Sequence, residues 1–105
     1  VVVLCSEEID SMTLVRCYPI GVIMMKDGGK LDEKIISIPF NDPNYNEYKD
    51  ISELPAHIFD EMRHFFSVYK SLEGKETVVD EVQGRESAIK AIKHCIDNYV
   101  AEFCR

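Results

Sequence analysis

Met12-Thr13-Leu14-Val15-Arg16-Cys17-Tyr18-Pro19-Ile20-Gly21-Val22-Ile23-Met24-Met25-Lys26-Asp27-Gly28-Gly29-Lys30-Leu31-Asp32-Glu33-Lys34-Ile35-Ile36-Ser37-Ile38-Pro39-Phe40 reads as one long hairpin. Residues 12–25 are strand-rich, and Pro19 and Gly21 mark a bend or bulge within them. Residues 26–34 form the turn: Gly28-Gly29 supplies backbone freedom and charges surround it. Residues 35–40 return as the second strand, so the tip presents Asp27, Asp32 and Lys34.

Outward from the hairpin, Val1–Leu4 reads as a buried strand because β-branched residues run without a polar break. The chain enters this run directly, without an initiator methionine, as if in mid-strand. Residues 5–11 are an acidic loop, and residues 41–50 are a loop with Asn-Asp-Pro-Asn turn chemistry and two packed tyrosines, Tyr45 and Tyr48. Ile58, Met62, Phe65, Phe66 and Tyr69 form one apolar stripe, which predicts a helix over about 56–71, with Pro55 at its first turn and Gly74 just past its end. A short strand follows over 77–82. A second helix runs from about Ser87 to the C-terminus, with Ile89, Ile92, Ile96, Tyr99, Val100 and Phe103 on one face. Strands first and helices after give an α+β domain, a curved antiparallel sheet with two packed α-helices, in one unit over 1–105.

The bulk composition excludes several function classes. The 105 residues are 46% apolar and carry a formal net charge of -7, which allows a core and gives no basic face for nucleic acid. A small polyanion would be repelled unless metal cations intervened. The longest apolar run, around Ile20–Met25, is too short to span a bilayer, and no signal peptide is visible. Cys5, Cys17, Cys95 and Cys104 form no C-x-x-C pair and are expected to be buried reduced thiols, which points to the cytoplasm. His57 and His64 are two helical turns apart, too far to grip one ion as an i, i+4 pair.

Two clusters carry chemistry. Asp27 and Asp32 lie five apart across the glycine turn and can converge on a hard cation such as magnesium, which takes a few carboxylates, several waters and a phosphate oxygen. Lys34, two residues on along an emerging strand, points the same way and can serve a phosphate as a point charge. Spacing alone does not separate this from a solvated hairpin tip. Tyr69 and Lys70 offer a neutral and a cationic donor, a sensible pair for phosphate. They are also accounted for by a tyrosine at the core's edge and a favourable charge near a helix C-terminus. Arg16, Arg63, Glu7 and Glu8 read as solvated surface, and Met24-Met25 as strand core.

Taken in order, the pieces resemble the family I soluble inorganic pyrophosphatases. The matching residues are Arg16-Cys17-Tyr18-Pro19-Ile20-Gly21-Val22, the tip Asp27-x4-Asp32-x-Lys34, Asp42-Pro43-x-Tyr45, Asp50-Ile51-x-Glu53-Leu54-Pro55, and His64-Phe65-Phe66-x-x-Tyr69-Lys70. The resemblance implies hydrolysis of pyrophosphate to two phosphates with several Mg2+ ions, and an OB-like antiparallel β-barrel flanked by helices. It makes Asp27 and Asp32 metal ligands and Lys34, Tyr69 and Lys70 binders of substrate and product phosphate. It also implies a homo-oligomer, hexamer or dimer, in the parent protein.

Two departures from the family pattern follow. Gly28 stands where several members carry an acidic residue. The family's G-D-x-D-P-x-D segment, which holds the central metal ligands, would lie just before Val1. The chain is therefore expected to be the C-terminal portion of such an enzyme, a partial barrel with its N-terminal strands missing. It would hold no catalytic residue of its own and expose unpaired strand edges along Val1–Leu4 and the hairpin. The alternative is a non-catalytic interaction module that keeps the fold.

Overall fold

The structure is a computed structural model that describes residues 1–69, 72, 74 and 77–104, and of Asp27 and residues 77–80 the backbone only. Its elements run β1 (Val2–Val3), β2 (Cys17–Asp27), β3 (Lys30–Pro39), a 3-10 turn (Ile51–Glu53), α1 (Ala56–Tyr69), β4 (Thr77–Gly84) and α2 (Arg85–Phe103). The hairpin is present, but its strands reach further toward the tip than expected. Lys26 pairs with Leu31 and Asp27 with Lys30, leaving Gly28-Gly29 as the whole turn. Both glycines have positive φ, 58° and 82°, which a side chain would resist. The bulge falls at the expected place, between Pro19 and Gly21.

At its other end the hairpin is shorter than the sequence suggests. β2 starts at Cys17 rather than Met12, and Met12 and Leu14 are fully exposed. Apolar residues alone did not make a strand there, because no neighbouring chain offers backbone partners.

The sheet is open, as expected of a partial barrel, but mixed rather than wholly antiparallel, which corrects the expected strand directions. Its strand order is β1-β3-β2-β4, and β1 lies parallel to β3, with Val2 opposite Ile36 and Val3 opposite Ser37. Leu4 N–H extends this pairing by donating to the Ser37 carbonyl at 2.9 Å. β4 covers the outer edge of β2, whereas β1 covers β3 only around Ile36 and Ser37, so the stretch of β3 toward the tip keeps an open edge, as expected for part of the hairpin.

Alternation along β2 and β3 splits the core into two layers. Ile23, Met25, Ile36 and Ile38 face one way and pack with Ile20, Ile51, Leu54 and with Met62 and Phe66 of α1. Val22 and Ile35 face the other way and pack with Ala88 and Ala91 of α2. The helices therefore cover opposite faces of one sheet. Removing each fully buried isoleucine from water is worth roughly 1.5–3 kcal/mol, and Ile20, Ile23, Ile36 and Ile38 are all fully buried.

The apolar face expected along α2 is only half used. Ala88 and Ala91 are buried and Ile92 is half-buried, but Ile96, Tyr99, Val100 and Phe103 are exposed. The small alanines let the start of the helix approach the sheet, and beyond Ile92 the helix leaves it. The cysteines also differ from expectation. They are free, but Cys5 and Cys17 are half-buried while Cys95 and Cys104, on the projecting part of α2, are exposed.

Candidate metal and phosphate site

β3 places Asp32 and Lys34 on alternate positions of a regular strand, so both face the side that carries Ile36 and Ile38. Asp32 is opposite Met25 and Lys34 opposite Ile23, both core residues of the α1 layer. Lys34 Nζ and Asp32 Oδ2 are 3.0 Å apart, with both side chains partly exposed. An ion pair so wetted is worth about 0–1 kcal/mol, so an incoming cation or anion separates it at little cost.

Tyr69 closes α1 and packs against the same core layer. The hairpin pair and the tyrosine thus share one face of the sheet. Asp27 ends β2, its backbone paired with Lys30 and with Thr77 of β4; its side chain lies outside the described residues, as does Lys70. Of the five expected site residues, Asp32 and Lys34 are in direct contact, and Tyr69 joins them on a common face. Among the described residues, no three His, Cys, Asp or Glu side chains converge as a metal cluster.

The donor set present nonetheless suits a hard cation bound in part. Magnesium needs only one or two carboxylates when waters and phosphate oxygens complete its shell. Asp32 is such a carboxylate, held on a paired strand rather than a loose loop.

Two acidic residues outside the expected site set organise the loops beyond the far end of β3. Asp42 is 8% exposed. It accepts from Ser6 N–H at 2.7 Å and Ser6 Oγ at 3.0 Å, and from the N–H groups of Asn44 and Tyr45 at 2.9 and 3.2 Å. These donors, the Ser6 N–H foremost, hold its carboxyl below the usual carboxylate range against the opposing effect of burial.

Asp50 caps the 3-10 turn through Ser52 and also accepts from Arg85 N–H, the first residue of α2. The Arg85 N–H, then Ser52, hold its carboxyl low as well. Glu53 completes a capping box by accepting from the Asp50 N–H at 3.0 Å. The signal for both was local: an Asx turn at Asn41-Asp42-Pro43-Asn44, and Asp50-x-x-Glu53 ahead of an apolar stretch.

Comparison with known proteins adds independent support. The family model for inorganic pyrophosphatase matches residues 1–100. The soluble inorganic pyrophosphatase 2 of Chlamydomonas reinhardtii is 42% identical over 99 residues, 94% of this chain and 52% of that protein. The soluble inorganic pyrophosphatase of Oryza sativa subsp. indica is 42% identical over 101 residues, 96% of this chain and 47% of that protein. The chain thus spans about half the length of the curated relatives it matches. Among solved structures, the inorganic pyrophosphatase of Helicobacter pylori superimposes with a TM-score of 0.87 at 36% identity, covering 92% of this chain and 59% of that one. That of Thermus thermophilus gives 0.86 at 28% identity, covering 92% and 57%. The motif order, the four-stranded sheet with its two helices and these matches agree, and the chain belongs to the inorganic pyrophosphatase family.

Proposed function

We propose that the chain is a portion of a magnesium-dependent inorganic diphosphatase that hydrolyses pyrophosphate to two phosphates. The observation that carries this reading is the shared face: Asp32, Lys34 and Tyr69 line the same side of one sheet in a chain of this family. The substrate is the inorganic anion rather than nucleic acid, in keeping with the net charge of -7. The parent protein is read as a cytoplasmic homo-oligomer whose further strands close the open sheet into an OB-like barrel.

In this mechanism Asp32 and Asp27 would hold Mg2+, and Lys34, Tyr69 and Lys70 would bind phosphate oxygens. Magnesium, when bound, neutralises the diphosphate and lowers the pKa of a coordinated water. Lys34 gives up its pairing with Asp32 and moves its ammonium charge to a phosphate oxygen. Tyr69 donates a neutral hydrogen bond, which holds a phosphate without needing a counter-charge. Both donors stabilise charge that builds on the departing phosphate.

Phosphate release from pyrophosphate in the presence of Mg2+ tests the reading. Asp27 and Asp32 alone supply too few ligands for a site of several metals. Activity is expected of the longer parent protein that carries a G-D-x-D-P-x-D segment and its further strands ahead of Val1, and Asp32→Asn should abolish most of it. Unchanged hydrolysis and unchanged Mg2+ dependence in that variant would remove Asp32 from the metal site, and absence of hydrolysis in the longer protein would leave the non-catalytic module as the better reading.

A further inference from the structure

α1 carries three aromatic residues near its end, and they are not equivalent. Phe66 is 5% exposed and belongs to the core. Phe65 is 55% exposed, so it contributes far less by burial than a phenylalanine can. What Phe65 does touch is Tyr69, one turn on and on the same side of the helix. Their ring centroids are 5.4 Å apart and their planes 11° from parallel, a stacked pair. Phe66 meets Tyr69 edge-on, at 6.2 Å and 82°, and meets Phe65 edge-on at 5.2 Å and 78°.

Among the described residues, two aromatic contacts at right angles hold the phenol ring of Tyr69. Stacking on Phe65 fixes the ring's plane, and the perpendicular contact with Phe66 limits its swing toward the core. A tyrosine hydroxyl oxygen lies on the axis of its ring, so fixing the ring fixes where that oxygen stands, and the O–H need only rotate about the C–O bond to meet a ligand. Such aromatic pairs add to stability beyond the area they bury, and ordering the donor before the ligand arrives removes part of the entropic cost of binding.

We propose that Phe65 is a positioning residue that holds Tyr69 with its hydroxyl aimed for phosphate. The inference rests on Tyr69 being a phosphate-binding residue, as proposed above.

Aromatic NMR of the chain, titrated with inorganic phosphate in the presence of Mg2+, tests both layers. Stacking on Phe65 should shift the Tyr69 ring protons upfield. Phe65→Leu is expected to remove that shift and weaken phosphate binding about two- to tenfold, the range an aromatic pair is worth. Phe65→Tyr, which keeps a stacked ring, should restore both. Tyr69→Phe keeps the stack and should weaken phosphate binding on its own. No response to phosphate in the parent chain, or unchanged affinity in Tyr69→Phe, overturns the reading of Tyr69 and the inference with it. Weakened binding in Tyr69→Phe with unchanged affinity in Phe65→Leu overturns the positioning role alone. A loss in Phe65→Leu that Phe65→Tyr fails to restore does the same.

Discussion

Asp50 Oδ1 accepts the backbone N–H of Arg85 at 2.8 Å, across 35 residues of sequence. α2 begins directly after β4, with Gly84 in the capping position and no side chain of its own to accept the first free N–H groups. Asp50 supplies that cap from a distant loop, and its charge also suits the positive end of a helix. The same carboxylate caps the 3-10 turn through Ser52 N–H and Oγ, at 3.0 and 2.7 Å.

Asp50→Ala should therefore uncap two elements at once. A lost N-cap costs about 0.5–2 kcal/mol, and this double cap is expected at the upper end of that range. A urea unfolding midpoint indistinguishable from the parent chain's would refute the long-range cap.

Gly84→Ala should disturb the same bond from the other side. A Cβ at Gly84 would stand 2.8 Å from Asp50 Oδ1 and 3.5 Å from its Cγ, which pushes the carboxylate off Arg85. Because the two changes remove one interaction, the double variant should cost little more than the costlier single one. Fully additive losses in a double-mutant cycle would show that the two positions are independent.

Stability should fall in acid through Asp42 and Asp50. Both carboxyls sit below the usual range when folded, chiefly through the N–H groups of Ser6 and Arg85 respectively. In the unfolded chain they take up protons near pH 4, the ordinary range of an aspartate. Each therefore adds stability that is present above about pH 4 and is lost as pH drops through the lower folded values. Unfolding midpoints measured from about pH 6 down to about pH 2 should show a steep fall, and Asp42→Asn or Asp50→Asn should flatten it.

Asp32→Asn should weaken Mg2+ binding without unfolding the chain, since its side chain is partly exposed and its pairing with Lys34 is a wet contact. Loss of a ligating carboxylate is expected to cost at least about tenfold in affinity. Calorimetric titration giving the parent's affinity would remove Asp32 from the metal site.

Two phenylalanines should separate sharply by truncation. Phe66→Ala empties a site 5% exposed and should cost about 3–5 kcal/mol. Phe103→Ser, at a site 70% exposed, should change stability by no more than about 0.5 kcal/mol.

The hairpin was legible because its signals are local: alternating apolar residues, a proline-glycine bulge and a diglycine turn. α1 was legible for the same reason. The parallel seat of β1 was not, since Val1–Leu4 has the composition of a strand but nothing that names its partner. The stripe on α2 was read as one face of a packed helix, and periodicity says which residues can face a neighbour, not how far the neighbour extends. Ala88, Ala91 and Ile92 pack with Val22 and Ile35 of the sheet. Asp32 and Lys34 were found through their spacing and family likeness. Asp42 and Asp50 were placed in their loop, but their partners Ser6 and Arg85 are remote in sequence.

The strand order has a kinetic meaning. β2 and β3 meet through a two-glycine turn, while β4 can join β2 only after the loop, α1 and its connection have been traversed. Loop-closure entropy makes that second zippering the slow one. The hairpin is thus the natural template, and the lifetime of its bare β2 flank sets how long a folding molecule is open to capture by a neighbour.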